Sequence, residues 1–115
     1  MPAEIPVGRL TRRPEFLAVA ATRSKGVAHG LIVQARRRED DALRVGFTVT
    51  KKIGNAVTRN RAKRRLRALA RQVLPSTALP GHDLVLIARA DAPTRDFAAL
   101  EADLRHALQR AGASR

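Results

Sequence analysis

The chain has 115 residues, a length typical of one domain with a modest core. It carries 23 Lys and Arg against 10 Asp and Glu, and this net charge of +13 favours a polyanionic partner: nucleic acid, an anionic membrane surface or an acidic protein. The absence of cysteine excludes disulfides, thiolate catalysis and cysteine-ligated zinc. Neither a signal peptide nor an apolar run near the ~20 residues of a membrane span is visible, so we expect a cytoplasmic protein.

The first predicted element is a short helix that follows a loose tail at residues 1–9. Pro14 suits the first helical position, and Glu15 complements the positive end of the helix dipole. The apolar residues that follow keep helical spacing on one face: Phe16, Val19 and Ala20.

Two strands are predicted next, over residues 27–35 and 43–50, with a charged turn at 37–41 between them. In the second strand, apolar residues alternate with polar or small ones, as in a strand with one buried face. These apolar residues are Leu43, Val45, Phe47 and Val49. We expect the two strands to pair as an antiparallel hairpin.

A long helix is predicted after the turn at residues 51–55. Asn55 or Thr58 can cap its start, and it should end near Val73 because Pro75 follows.

A strand over residues 83–90 comes next, and its consecutive apolar residues predict cover on both faces. The last helix is predicted to begin near Thr94 or Asp96 and to end before a second loose tail at residues 112–115. The order α-β-β-α-β-α predicts a single α+β domain over residues 1–115. Its architecture should be a two-layer α-β sandwich with a small mixed sheet and a βαβ crossover.

The strongest functional signal is a stretch from Ala42 to His82 that contains no acidic residue. Its basic residues are Arg44, Lys51, Lys52, Arg59, Arg61, Lys63, Arg64, Arg65, Arg67 and Arg71. Like charges at helical spacing repel one another, and an ordinary solvated face mixes both signs. An unmixed set of cations is therefore typical of a surface that binds a polyanion.

The long helix separates these cations from an apolar stripe. At 100° per residue, the stripe consists of Ala62, Leu66, Leu69, Ala70 and Val73. The opposite side carries Asn60, Arg61, Arg64, Arg65, Arg67 and Arg71. Arg59 falls within the apolar bearing, but in the first turn, where its side chain can swing off the helix end.

Two further features favour phosphate binding at the start of this helix. Lys51 and Lys52 precede free backbone N–H groups, and Gly54 lets an anion approach the backbone closely. Asn60, between two arginines, can hydrogen-bond a base edge or a 2′-hydroxyl group.

Residues 45–64, VGFTVTKKIGNAVTRNRAKR, closely resemble bacterial ribonuclease P protein. The signature of that family is an Arg-Asn-Arg helix preceded by Lys-Lys-Ile-Gly-Asn-Ala-Val, and here the whole segment matches in register. The resemblance extends to the first predicted helix, the last strand and the last helix.

The resemblance implies that the chain is an RNA-binding subunit of ribonuclease P. Its expected partners are the catalytic RNA subunit and precursor tRNA, and we expect it to bind neither a membrane nor DNA. Such a subunit assists the RNA in removing the 5′ leader of precursor tRNA and lowers the Mg²⁺ requirement. A left-handed βαβ crossover is also implied. The implied RNA-binding residues are Lys51, Lys52, Arg59, Asn60, Arg61, Lys63, Arg64 and Arg67. A cleft between the first helix and the sheet would bind the leader through Phe16, Lys51 and Arg89.

The chain departs from the family pattern in this cleft. Relatives often carry a second aromatic residue where this chain has Ala20, and another where it has Gln34. Because stacking one base is worth ~1–3 kcal/mol, we expect a weaker grip on the leader, or more use of arginine and backbone contacts. Phe16 fits a core position as well as it fits a contact with the leader.

No catalytic residue and no metal site are predicted in the protein. Its acidic residues are scattered, apart from a charged turn at residues 39–41, and His29, His82 and His106 lack ligand spacing. We expect the protein itself to bind no cofactor. The resemblance implies that the chemistry, with its Mg²⁺, belongs to the RNA subunit.

Three other functions fit the composition. A ribosomal or RNA-assembly protein would have similar charge, but the match over residues 45–64 argues against it. A sequence-specific DNA-binding module would normally show a helix-turn-helix partner or dimer symmetry, and neither is visible. A nuclease acting without RNA would need catalytic residues that the sequence does not offer.

Overall fold

The computed structural model describes residues 4–115, so the first three residues of the predicted tail lie outside the described residues. In chain order, its elements are β1 (Gly8–Arg9), α1 (Arg13–Ala20), β2 (Lys25–Val27), β3 (Leu31–Arg37), β4 (Leu43–Thr48), a 3-10 turn (Lys51–Ile53), α2 (Ala56–Thr77), β5 (His82–Ala88) and α3 (Phe97–Arg110). The strands form one mixed sheet in the order β1-β4-β5-β3-β2. The predicted α+β class with a small mixed sheet is confirmed.

The predicted hairpin between the strands at residues 27–35 and 43–50 is wrong. β5 lies between β3 and β4, antiparallel to β3 and parallel to β4. Because β5 is apolar on both faces, it is best buried at the centre of the sheet, where it separates its two neighbours. The parallel pair β4–α2–β5 confirms the predicted βαβ unit.

The predicted strand at residues 27–35 is divided into β2 and β3, which form a short antiparallel pair. The backbone of β2 at Gly26 lies directly against α3, since a Cβ there would be 2.0 Å from the carbonyl oxygen of Ala107. This close approach leaves no room for a side chain. β2 is therefore the edge strand on which α3 packs.

The two faces of the sheet are covered by different helices. Leu84 and Leu86 of β5 belong to the main core with α2 and α3, and both are fully buried. Val85 points to the other face, where it packs with Leu10 and with Val19 of α1. The α-β sandwich thus consists of the sheet and the α2–α3 layer, and α1 covers part of the opposite face.

The end of α2 differs from the prediction, because the helix passes through Pro75 and ends at Thr77. Proline removes one helical hydrogen bond, but the two chain ends supply donors to the last carbonyl groups. The N–H of Ile5 donates to the carbonyl of Pro75 (2.9 Å), and the N–H of Arg115 donates to that of Thr77 (2.8 Å).

These contacts also correct the prediction of loose tails in the part of both tails that the structure describes, residues 4–9 and 112–115. Gly8–Arg9 pairs with β4 as a parallel strand, and Ala113 is fully buried. The N–H of Leu79 donates to the carbonyl of Ala113 at 2.8 Å. Both segments are therefore attached to α2 and the sheet.

Candidate RNA interface

The orientation of α2 is determined by its cap and by its apolar stripe. Asn55 accepts a hydrogen bond from the N–H of Thr58 (2.9 Å), which begins the helix as predicted. The stripe is buried throughout: Ala62, Leu66, Leu69, Ala70 and Val73. The remaining side of the helix, which carries most of its cations, therefore faces outward.

Most cations of this region have no partner within the protein. Among residues 4–115, no hydrogen bond or ion pair involves the side chains of Lys51, Lys52, Arg59, Asn60, Arg61, Lys63, Arg64, Arg67 and Arg71. Lys51, Lys52, Asn60, Arg61 and Arg64 are also exposed to solvent. Their donors and charges are free for a ligand. All eight residues of the predicted RNA-binding set belong to this group.

Arg65 and Arg44 do not belong to this free surface, although the sequence placed both among the unbalanced cations. The guanidinium group of Arg65 donates to the carbonyls of Ala92 (3.0 Å) and Arg95 and lies 5.7 Å from the ring centre of Phe97. Arg65 thus joins α2 to the segment that precedes α3. Arg44 is bound by carboxylates that lie outside the acid-free stretch.

Arg59 and Arg67 are half-buried, and the Nε atom of each is buried without an acceptor in the described part of the chain. A buried donor without a partner costs about 1–3 kcal/mol, which an acceptor from a bound polyanion would relieve. Arg59 therefore does not simply swing off the helix end, as the sequence suggested. It stays packed against the protein, as its apolar bearing requires.

The residues predicted to bind a leader occupy the face of the sheet that α1 partly covers. Phe16 lies over β4 at Gly46, where a Cβ would come within 2.5 Å of the ring. Gly46 stands in one row of the sheet with Val85 and Gln34. The glycine therefore makes room for the aromatic ring, which is half-buried and packs with the Leu10–Val19–Val85 cluster.

The next row of the same face was missed by the sequence analysis. It consists of Thr48, Ile87 and Ile32, which are half-buried and lie side by side on β4, β5 and β3. Since β4 and β5 are parallel, Lys51 and Arg89 both follow the carboxyl ends of their strands at one edge of the sheet. The alternation in β4 already placed Thr48 and Phe47 on opposite faces of the strand. The sequence did not show which strands pair with β4.

Lys51 and Arg89 are exposed, and they differ in how they are held. Arg89 donates from Nη1 to the carbonyl of Ala28 (2.7 Å), which positions its guanidinium group beside the sheet edge. Lys51 begins the 3-10 turn after β4. Ala20 is exposed at the end of α1 and Gln34 is half-buried on β3, so neither supplies a stacking surface.

A buried ion-pair network holds α1 against this face. Asp83 is 1% exposed and accepts hydrogen bonds from Arg38 (3.0 Å) and Arg44 (2.8 Å). Arg44 also binds Glu15 of α1, and Arg38 also binds Asp40. The network links α1, β4, β5 and the turn after β3.

The pKa values of these carboxyl groups follow from their donors. Burial favours the neutral acid at Asp83, but hydrogen bonds from Arg44 and Arg38 outweigh it and hold its pKa below the usual value. Arg38, followed by the N–H of Ala42, lowers the pKa of Asp40 to about 2. The backbone N–H groups of Arg12 and Thr11 lower the pKa of Glu15.

The histidines and acidic residues form no cluster suited to a metal ion within residues 4–115. His29 contacts Asp91 at 2.6 Å on the surface, and His82 lies against the carbonyls of Leu79 and Pro80. In the turn at residues 39–41, Asp40 is held by Arg38.

None of the helices in the described part of the chain is both long and apolar enough to cross a bilayer.

Known proteins resemble this chain in sequence and in fold. A sequence model of the family Ribonuclease P matches residues 7–112. The ribonuclease P protein component of Gluconacetobacter diazotrophicus is 53% identical over 105 residues, covering 90% of both chains. That of Ruegeria pomeroyi is 52% identical over 105 residues, covering 88% of this chain and 83% of its own.

Solved structures agree with the sequence comparison. The RNase P protein of Staphylococcus aureus superposes with a TM-score of 0.78 at 29% identity, covering 93% of this chain and 97% of its own. The RNase P protein of Thermotoga maritima gives a TM-score of 0.72 at 28% identity, covering 84% of this chain and 90% of its own. On sequence and fold together, the chain belongs to the ribonuclease P protein family.

Proposed function

We propose that this protein is the RNA-binding subunit of a ribonuclease P and assists a catalytic RNA in removing the 5′ leader from precursor tRNA. The observation that carries the proposal is the set of unpartnered cations on α2 and the turn before it. Family membership supplies the identity of the polyanion, which charge alone does not specify.

The exposed side of α2 would bind the RNA subunit mainly through phosphates. Arg61 and Arg64 are one turn apart, exposed and unpaired within residues 4–115, so each can donate several hydrogen bonds to phosphate oxygens. Asn60, which precedes Arg61 on the same side of the helix, adds a donor and an acceptor for a base edge or a 2′-hydroxyl. Lys51 and Lys52 extend this surface toward the sheet edge.

The partly covered face of the sheet would bind the single-stranded leader. Phe16 offers the partly exposed edge of a ring, the Thr48–Ile87–Ile32 row offers a half-buried apolar floor, and Lys51 and Arg89 offer cations at the end of that floor. Because Ala20 and Gln34 add no stacking surface, the leader would depend on Phe16, the floor and the two cations.

The chemical step would belong to the RNA, together with the Mg²⁺ that stabilises the attacking and leaving oxygens. The protein would neutralise phosphates where leader, tRNA and RNA subunit meet. Since fixed Lys and Arg side chains replace diffuse counterions there, less Mg²⁺ would be needed for assembly.

Cleavage of a precursor tRNA at low Mg²⁺ tests the proposal, with protein alone, ribonuclease P RNA alone, and the two together. We expect only the mixture to cut efficiently at the mature 5′ end. If the mixture cuts no faster than the RNA alone at every Mg²⁺ concentration, the proposal is wrong. Association with ribosomes would then be the next assay.

A further inference from the structure

A pocket of about 510 Å³ lies beside the exposed cations of α2, between the N-terminal segment, β4 and the C-terminal half of α2. Its volume falls within the ~300–1,000 Å³ of pockets that hold small ligands. Its floor and rim differ in chemistry. The floor is apolar, and the rim carries three arginines: Arg9, Arg67 and Arg71.

The walls of this arginine-rimmed pocket are held at both ends. The N–H of Ile5 donates to the carbonyl of Pro75 in α2 (2.9 Å), and β1 pairs with β4 at Gly8–Arg9. The N–H of Leu10 then donates to the carbonyl of Val45 at 3.0 Å. The N-terminal segment thus bridges α2 and β4, and the opening between these anchors is part of the fold.

The floor is the place where the main core reaches the surface. Ile5, Val7 and Phe47 pack against the core but are only partly buried, whereas Leu84 and Leu86 of the same core are fully buried. Among residues 4–115, Phe47 is the only aromatic residue of the pocket lining. A planar apolar ligand would complete the cover of these side chains.

The rim is continuous with the exposed cations of α2. Arg67 lines both this pocket and the neighbouring depression formed with Asn60, Lys63 and Arg64. Its Nε atom is buried and has no acceptor within residues 4–115. The one acidic residue of the lining is Glu4, which is exposed at the mouth.

We infer that this pocket binds one unpaired nucleotide of the partner RNA, with the base against Phe47 and Val7 and the phosphate on Arg67 and Arg71. The proposed function already places RNA along α2, where Arg67 lines both this pocket and the neighbouring depression. A nucleotide combines a flat apolar base with an anion, as the pocket requires. The inference rests on the proposed function, because it assumes that RNA lies along α2.

The first test needs no RNA subunit. We would titrate the methyl-labelled protein with adenosine 5′-monophosphate and, as the base-free control, with ribose 5-phosphate. We expect saturable upfield shifts of the Val7 and Ile5 methyl signals with the nucleotide only, and loss of the Ile5 shift in Val7→Trp, which fills the pocket. Equal shifts with both probes, or none with either, would overturn the inference.

The second test measures the affinity for ribonuclease P RNA. Val7→Trp fills the pocket without changing the charge of the protein, so we expect about tenfold weaker binding, as for the loss of one stacked base. Val27→Trp, the same exchange at an exposed valine on the opposite edge strand, should bind like the wild type. Far-ultraviolet circular dichroism verifies that both variants are folded.

Should Val7→Trp not fold, Arg71→Ala replaces it, with the exposed Arg110→Ala as its charge-matched control. Arg71→Ala should reduce RNA affinity and nucleotide-induced shifts, and Arg110→Ala should change neither. If the wild type binds RNA and the pocket variants bind equally well, only this inference is wrong; if the wild type does not bind RNA, the proposed function is wrong. A sedimentation coefficient that rises with concentration and falls in Val7→Trp would make the pocket a self-association surface and overturn the inference.

Discussion

The arginines around Asp83 and the arginines of α2 are the same residue type in opposite situations. Arg38 and Arg44 share a carboxylate that is 1% exposed, and each has a second acidic partner. Arg61 and Arg64 are exposed and have no acidic partner in the described part of the chain. The first pair joins α1 to the sheet, and the second pair is free for an external anion.

Net charge and the number of arginines therefore do not locate a binding surface by themselves. Arg65 is a third case, because it is adjacent to Arg64 yet donates to backbone carbonyls beside Phe97. What decides the role of each arginine is the acceptor that the fold brings to it.

Asp83→Asn should have the largest effect on stability. It leaves Arg38 and Arg44 close together without their shared carboxylate, and removing one partner of a buried pair typically costs ~3–5 kcal/mol. We expect the free energy of unfolding, measured by urea denaturation, to fall by about 3 kcal/mol. This is the low end of that range, because both arginines are partly exposed. The exposed Asp41→Asn is the control and should change stability by less than ~0.5 kcal/mol. Equal stability of the two variants would show that the network is dispensable.

Arg61→Ala combined with Arg64→Ala should affect RNA binding and leave the fold intact. Affinity should fall, and the slope of log K against log salt should flatten by roughly 1.4–1.8, since each phosphate contact contributes ~0.7–0.9. Unfolding by urea should be unchanged. The control is Arg36→Ala with Arg110→Ala, which removes two exposed charges elsewhere. An unchanged salt slope in the α2 variant would exclude these two arginines from the interface.

Phe16→Ala separates a leader contact from a core role. The ring packs over Gly46 and is partly exposed, so we expect about 2 kcal/mol lower stability together with weaker binding of precursor tRNA but not of mature tRNA. Binding is measured with the assembled holoenzyme. Leu17→Ala, at the 55%-exposed neighbour, is the control. If both tRNAs lose affinity equally, Phe16 is a core residue only.

Arg65→Ala should behave opposite to Arg64→Ala. It removes two hydrogen bonds and a cation–π contact, so we expect about 1–2 kcal/mol lower stability and an unchanged salt slope of RNA binding. Arg64→Ala should leave stability unchanged and flatten the slope. Thermal unfolding and filter binding on the same samples measure both. A flattened slope in Arg65→Ala would return this residue to the RNA surface.

The smallest effect is a loss of stability in acid. The folded-state pKa values of Asp83, Asp40 and Glu15 lie below their unfolded values, so the carboxylates bind fewer protons in the folded protein. Their contribution is therefore complete above about pH 4–5 and is lost as the pH falls toward 2. Urea midpoints between pH 2 and 6 measure it. Asp40→Asn should flatten the lower part of this profile, and an identical profile would contradict the role given to Asp40.

Local features of the chain were predictable because they depend on neighbours in sequence. Of the two cap candidates at each helix, Asn55 rather than Thr58 caps α2, and Asp96 rather than Thr94 caps α3. The buried stripe of α2 matches its 3.6-residue period. The exposed cations of α2 followed from the same period and from the absence of acidic residues. The resemblance then identified the family, which the comparisons confirm.

Features that depend on distant residues were missed. The donors of Ile5 and Arg115 complete the end of α2 beyond Pro75, and they lie about as far from each other in sequence as the chain allows. The hairpin was wrong because alternation in β4 indicates its faces but not its neighbours. The Thr48–Ile87–Ile32 row depends on the pairing of β5 with β3 and β4. The arginine-rimmed pocket depends on the pairing of β1 with β4.

The charged side of α2, the starts of the main helices and the family of the chain could all be predicted from the sequence, because periodicity, capping and motif are local properties. Which arginines have partners depends on the folded chain. Asp83 and Glu15 reach Arg44 across 39 and 29 residues, and the carbonyl of Ala92 reaches Arg65 across 27. An arginine is free or engaged according to the acceptors that folding places within about 3 Å of its guanidinium group.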